Sequence, residues 1–150
     1  MGSAPALENA ILLAGQAHLG QKDKAGQPYV LHALRIMFML DSEEERIVGV
    51  LHDLVEQTEV TLDRLKTLGY SERIVQAIDQ LTWRKQQESY EEYIKRLLSD
   101  PIAASVKRAD IADHLTPSID GRLTWLEKNH PELYRRYKAA LSILGGWRVL

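Results

Sequence analysis

The stretch Ser42-Glu43-Glu44-Glu45-Arg46-Ile47-Val48-Gly49-Val50-Leu51-His52-Asp53-Leu54-Val55-Glu56-Gln57 runs an apolar helical series through a knot of ionisable residues. Ser42 with Glu45 three positions on is a capping box, which predicts one helix from Ser42 to about Gln57. Ile47, Val48, Val50, Leu51, Leu54 and Val55 make that helix apolar over most of its surface, the pattern of a buried element. His52, Asp53 and Glu56 interrupt the series. A bare carboxylate in such a place costs several kcal/mol or more unless it is paired or bound to a cation. Glu56 stands one turn beyond both His52 and Asp53 on a helix, so it shares their side of it. Adjacent residues point about 100° apart, yet an imidazole and a carboxylate can still meet on an ion lying between their directions.

The flanking sequence has the same period. Apolar residues recur at helical spacing almost throughout, and no Asn-Gly or Asp-Gly turn separates alternating runs, so the chain is expected to be all-α, a compact single-domain helical bundle. Before the central stretch, helices are expected over Ala6 to Leu19, closed by Gly20, and over Tyr29 to Leu40, opened by Pro28. The second of these is apolar almost all round and is therefore placed centrally. After the central stretch come Thr61 to Leu68, Ser71 to Leu81, Ser89 to Leu98, Pro101 to about Leu115 with a stop at Pro117, Gly121 to Lys128, and Pro131 to Leu144. Ser89 and Glu92 repeat the capping box.

Composition narrows the classes of function. At 150 residues the chain has the size of one domain, and 45% apolar with 27% charged residues is the balance of a soluble globular protein. The net charge of -2 supplies no global positive field for nucleic acid, so any phosphate binding falls to local basic clusters. No segment approaches the roughly 18 to 20 apolar residues of a membrane span, and the opening Met1-Gly2-Ser3-Ala4-Pro5 has no basic, then apolar, leader pattern. A cytoplasmic location without membrane attachment is the expectation. With no cysteine, a thiolate zinc site, an iron–sulfur cluster and a cysteine nucleophile are excluded, and a bound metal must rest on His and carboxylate.

Two further helices carry ionisable residues into apolar surroundings: His32 in the helix after Pro28, and Asp110, with Asp113 and His114, in the helix after Pro101. One divalent cation held by His32, His52, Asp53 and Asp110 accounts for all of them, and this mixed nitrogen and oxygen set suits Mn, Fe or Zn rather than Ca. A hydrogen-bonded core histidine is the competing account of each His alone. His18 and His130 are left to it as helix-boundary residues, and Trp83, Trp125 and Trp147 are assigned to packing.

Several motifs together resemble a known family. Ala17-His18-Leu19-Gly20-Gln21, Asp23-Lys24-Ala25-Gly26-Gln27-Pro28-Tyr29-Val30-Leu31-His32, Val50-Leu51-His52-Asp53-Leu54-Val55-Glu56-Gln57-Thr58, Leu81-Thr82 and Val106-Lys107-Arg108-Ala109-Asp110 follow in the order found in small HD-domain hydrolases related to the hydrolase half of the Rel/SpoT alarmone enzymes. The similarity runs from roughly Ala6 to Leu144. It implies an HD-domain bundle in which His32, His52, Asp53 and Asp110 bind a divalent ion, usually Mn²⁺. It also implies that a metal-activated water removes the 3′-pyrophosphate of (p)ppGpp, a small nucleotide substrate. Glu56 would then take the proton or place the water, with Gln57 beside it, and Lys22 and Lys24 would hold diphosphate oxygens. Two positions depart from the pattern. Gln57 stands where the family usually has the second acid of a pair, and it cannot accept a proton as a carboxylate does. His114 stands where relatives commonly have an Asn that contacts the nucleotide, and it is expected at the substrate.

Overall fold

A computed structural model describes residues 3–115 and 122–146, the side chains of residues 122–125 excepted. The expected stop at Pro117, the start at Gly121, the side chain of Trp125 and Trp147 all lie outside the described residues. Those described form helices only: α1 Leu7–Ala17, α2 Val30–Phe38, α3 Glu43–Leu51, α4 Leu54–Gln57, α5 Leu62–Thr67, α6 Glu72–Gln80, α7 Tyr90–Leu97, α8 Pro101–Leu115, α9 Arg122–Asn129 and α10 Pro131–Ile143. Among the described residues no helix is long and apolar enough to cross a membrane.

The all-α architecture expected from the periodicity is borne out, and α3 is its centre. Val48, Val50 and Leu51 are fully buried, and α3 packs against α1, α2, α6 and α8. Complete burial of a side chain the size of Leu51 contributes about 2 kcal/mol. Close approach depends on small residues. Ala10 and Ala14 turn their bare methyl groups from α1 into the core, and Gly49 leaves the space into which Leu40 and Ile36 pack. Both capping boxes form. Ser42 accepts from the Glu45 amide at 3.0 Å while Glu45 accepts from the Ser42 amide at 3.2 Å, and Ser89 and Glu92 do the same at 3.1 and 2.9 Å.

Two expectations are corrected. The helix read as continuous from Ser42 to Gln57 is broken at His52 and Asp53, where Asp53 takes φ -97° and ψ -1°. The cause is local: His52 Nδ1 donates to the Gly49 carbonyl at 2.6 Å, occupying the oxygen that a continuous helix would offer to the Asp53 amide. The helix α2 is also less enclosed than its composition suggested. His32, Ala33, Ile36 and Met37 are buried against neighbouring helices, among them α1, α3 and α8, but Phe38 is 75% and Leu31 37% exposed, left uncovered by those contacts.

The segment between α1 and α2 is a tight turn. Asp23 Oδ1 accepts the amides of Ala25 and Gln27, both at 2.9 Å, and the Asp23 amide donates to the Gln27 carbonyl at 2.8 Å. Gly26 supplies the positive φ, +84°, that closes it.

The Gly49 contact generates a test of the packing. A Cβ built at Gly49 lies 2.6 Å from Leu40 Cδ1 and 3.4 Å from Ile36 Cγ2. Gly49→Val is expected to lower unfolding stability by about 1–3 kcal/mol through overpacking, read as a lower urea midpoint with an unchanged slope.

Candidate functional site

The break after Leu51 decides the geometry of the site. It turns His52 and Asp53 toward the same point, and His52 Nε2 comes within 3.1 Å of Asp53 Oδ2. From α2, His32 Nε2 lies 2.9 Å from Asp110 Oδ1 and 3.9 Å from Asp53 Oδ2. From α8, Asp110 Oδ1 also lies 3.6 Å from His52 Nε2. The four residues expected to bind a cation are thus brought together from three separate segments, and their donor atoms have the spacing of neighbours around one ion. Ligands with bonds of about 2.1 Å stand about 3.0 Å apart at right angles and about 3.4 Å apart at the tetrahedral angle.

Each imidazole has its second nitrogen engaged, which fixes the proton. His32 Nδ1 donates to Asp113 Oδ2 at 2.6 Å, and Asp113 is gripped by Arg35 Nε and Nη2 at 2.8 and 3.1 Å. His52 Nδ1 donates to the Gly49 carbonyl. A carboxylate or a carbonyl can only accept, so Nδ1 carries a proton in both rings; His32 Nε2 carries a second where it meets Asp110 Oδ1, and a cation at the common point takes that proton's place. His52 Nε2 is buried there with no hydrogen-bond partner. An orphaned ring nitrogen beside two carboxylates and a second ring nitrogen fits a divalent cation in coordination chemistry and in charge. The carboxylates are anchored as well: Tyr29 Oη donates to Asp53 Oδ2 at 2.5 Å, and Lys107 Nζ to Asp110 Oδ2 at 2.9 Å.

The electrostatics follow from mutual compensation. Burial pushes the His32 pKa down, but the hydrogen bonds to Asp110 and Asp113 outweigh it and raise the value to about 9. For His52, burial is likewise outweighed by the charge of Asp53, and the pKa rises. Burial works against ionisation of Asp53 and Asp110 too, but His52 holds the first carboxyl below the usual range and Lys107 the second. Burial raises the Tyr29 phenol, with Asp53 adding to the effect, so this hydroxyl remains a donor.

Three residues of the centre, His32, Asp53 and Asp110, line a cavity of about 490 Å³, a volume suited to a nucleotide-sized ligand, while His52 lies buried behind them. Glu56 and Gln57 line it, as do Lys22 and Lys24 from the turn before α2. Glu56 Oε1 accepts from the Trp83 amide at 2.7 Å; burial raises its carboxyl pKa, and that amide opposes the rise. His114 stands one turn beyond Asp110 on α8, its ring stacked on Tyr137 of α10 at 4.8 Å between centroids. Burial lowers its pKa, keeping the ring neutral.

Some lining residues were given no role at the site by the sequence. Arg35, which lines the cavity, is one; with Asp113, already named among the ionisable residues of the helix after Pro101, it forms the clamp on His32. Trp83, assigned to packing, does pack through Nε1 on the Glu88 carbonyl at 3.2 Å, but it also lines the cavity beneath Lys85 and Arg136. Arg136 and Tyr137 come from α10, far along the chain, and no local motif marks them.

Comparison with known proteins accords with this architecture. The chain is 26% identical, over 97% of its length, to a guanosine-3′,5′-bis(diphosphate) 3′-pyrophosphohydrolase of Aquifex aeolicus. It is 33% identical over 49% of its length to a protein of the same description from Borreliella burgdorferi. The bifunctional (p)ppGpp synthase/hydrolase SpoT of Escherichia coli is 28% identical over 61% of this chain. The chain spans 22%, 11% and 14% of the lengths of these three relatives. No family model matches it. Among solved structures, a metazoan orthologue of SpoT described as hydrolysing ppGpp superposes with a TM-score of 0.75 at 21% identity, over 97% of this chain and 89% of that one. The fold is that of this SpoT orthologue, and the resemblance read from the sequence motifs is borne out: the chain is similar in sequence to the Rel/SpoT alarmone enzymes.

Two outcomes test the cation site. Because the His32 pKa is about 9 without an ion, a cation must displace that proton at lower pH. Its apparent affinity should rise with pH, by about tenfold per unit for each proton displaced, levelling off near the His32 pKa. Calorimetric titration with a divalent transition-metal ion in buffers of different ionisation enthalpy measures both slope and proton release. Asp113→Asn should weaken the ion by about 10–100-fold, although Asp113 is not among the donors, because the clamp on His32 Nδ1 is lost.

Proposed function

We propose that the protein is a Mn²⁺-dependent phosphohydrolase that removes the 3′-pyrophosphate of (p)ppGpp, yielding GDP or GTP, and that it acts in the cytoplasm on this small nucleotide rather than on nucleic acid. The observation that carries the reading is the meeting of His32, His52, Asp53 and Asp110, the first and the two aspartates lining a nucleotide-sized cavity that Lys22 and Lys24 also line. The relatives named as guanosine-bis(diphosphate) 3′-pyrophosphohydrolases support the choice of substrate.

When bound, the ion supplies Lewis acidity toward a phosphate oxygen and a lowered pKa for water. The side chains of the chain do the rest. Lys22 and Lys24 place two positive charges at the cavity for the diphosphate oxygens, on a backbone that the Asp23 turn orders. Glu56 takes the proton as water attacks the phosphorus bonded to O3′; the P–O3′ bond breaks, pyrophosphate is released, and O3′ takes up a proton to become the 3′-hydroxyl of GDP or GTP. Its raised pKa suits that task, since a base nearer neutrality accepts a proton more readily. Gln57 orients the water or the substrate by hydrogen bonding and leaves Glu56 as the sole proton acceptor of the pair.

Incubation of the purified protein with Mn²⁺ and ppGpp should release GDP and pyrophosphate, with His52→Ala inactive. Glu56→Gln should lower kcat by about 10²–10⁴-fold while the ion still binds. Turnover no greater than that of His52→Ala would overturn the substrate assignment, and turnover of a different phosphorylated nucleotide in the same assay would redirect it. Tight ppGpp binding without hydrolysis, together with activity regained in Gln57→Asp, would identify an alarmone-binding module instead.

A further inference from the structure

His114 was expected at the nucleotide because of its position in the family pattern, but its surroundings suggest another role. Lys107 Nζ takes up Asp110 Oδ2, so Oδ1 is the oxygen left to face the cavity. Three imidazole nitrogens crowd that atom: His32 Nε2 at 2.9 Å, His114 Nε2 at 3.4 Å and His52 Nε2 at 3.6 Å. A carboxylate oxygen has two lone pairs, and here the side-chain hydrogen bond it accepts is the one from His32. The other two ring nitrogens stand at the separations of ligands that share an ion.

We infer that His114 is a fifth protein donor to the cation held by His32, His52, Asp53 and Asp110, which makes the centre one of three imidazoles and two carboxylates. His32, Asp110 and His114 each offer an atom within 4.8 Å of the others, the same criterion met by His32, His52 and Asp53. One helical turn separates Asp110 from His114, so a single face of α8 supplies both. The His114 ring is already oriented, lying 13° from parallel to Tyr137 and with its centroid 4.8 Å from that of His32. Little side-chain freedom remains to be lost when it coordinates. In a six-coordinate sphere, four protein donors leave two positions for water and substrate, whereas five leave one. A phosphate oxygen and a water would then compete for that position unless one donor yields.

The inference rests on the cation centre proposed above, and its test separates the two. The protein is loaded with Mn²⁺, and 14N electron spin-echo modulation and water-proton relaxation are recorded for the wild type and for His114→Asn, with His52→Ala as control and circular dichroism as the check on folding. The wild type should show three coordinated imidazole nitrogens. His114→Asn should show two, with a larger inner-sphere water contribution and a Mn²⁺ Kd at least about tenfold higher. Two imidazole nitrogens in the wild type, or an unchanged Kd and nitrogen count in a folded His114→Asn, would overturn the inference while leaving the four-donor centre standing; a raised KM for ppGpp in that variant would then return His114 to the nucleotide. Should His114→Asn not fold, the wild-type nitrogen count decides alone. A wild type that binds no Mn²⁺ removes the centre and this inference with it.

Discussion

Two imidazoles and two aspartates are buried together where α2, the α3–α4 break and α8 meet, with the partly buried Asp53 beside them, and each charge there is compensated by its neighbours. Removing one partner from such a group leaves an uncompensated buried charge, at a cost of about 3–5 kcal/mol. The arrangement is therefore under mutual constraint. Arg35 holds Asp113, Asp113 holds His32, His32 faces Asp110, and Lys107 holds Asp110 from behind. The chain of contacts leads from a partly exposed guanidinium to the centre of the molecule and sets the tautomer of His32 on the way. It also joins α2 to α8 across a sequence separation of 78 to 81 residues, so the same contacts that shape the site tie together the two halves of the bundle.

The helix break beside this cluster shows how one side chain alters backbone geometry to a chemical end. In a continuous helix His52 and Asp53 would diverge by about 100°. The imidazole captures the Gly49 carbonyl, the backbone opens by two residues, and the carboxylate swings alongside the ring. Gly49 serves twice: its carbonyl receives His52, and its missing side chain admits Leu40 and Ile36, which seat α3 against α2 and so carry His32 to within reach.

Away from the cluster, the cavity is graded in charge. Carboxylates gather at the centre, while Lys22, Lys24, Lys85 and Arg136 stand toward its rim, the last two over the face of Trp83. A ligand with a strongly anionic part and an aromatic part has a complementary surface for each. The rim is assembled from the Asp23 turn, the segment after α6 and the α10 helix, which places these basic residues on different elements from those that form the centre.

Helical period, the two capping boxes and the ionisable residues set in apolar helices were enough to establish an all-α bundle and to single out His32, His52, Asp53 and Asp110, because burial patterns and desolvation costs are local properties that a linear chain displays. The same reasoning failed where the answer lay in a competition or a distant contact. Whether the His52 ring or the Asp53 amide takes the Gly49 carbonyl is a contest between groups three and four residues away, which periodicity averages over; hence the helix read as continuous was in fact divided. That α2 leaves Phe38 in the open depends on which neighbours pack against it, and that Arg35, Trp83, Arg136 and Tyr137 face the cavity depends on the docking of α8 and α10 onto the core. Sequence alone specified which side chains needed compensation in the interior; only the packing of helices remote in the chain decided what surrounds them, because distances between such segments are set by side-chain volumes meeting in three dimensions.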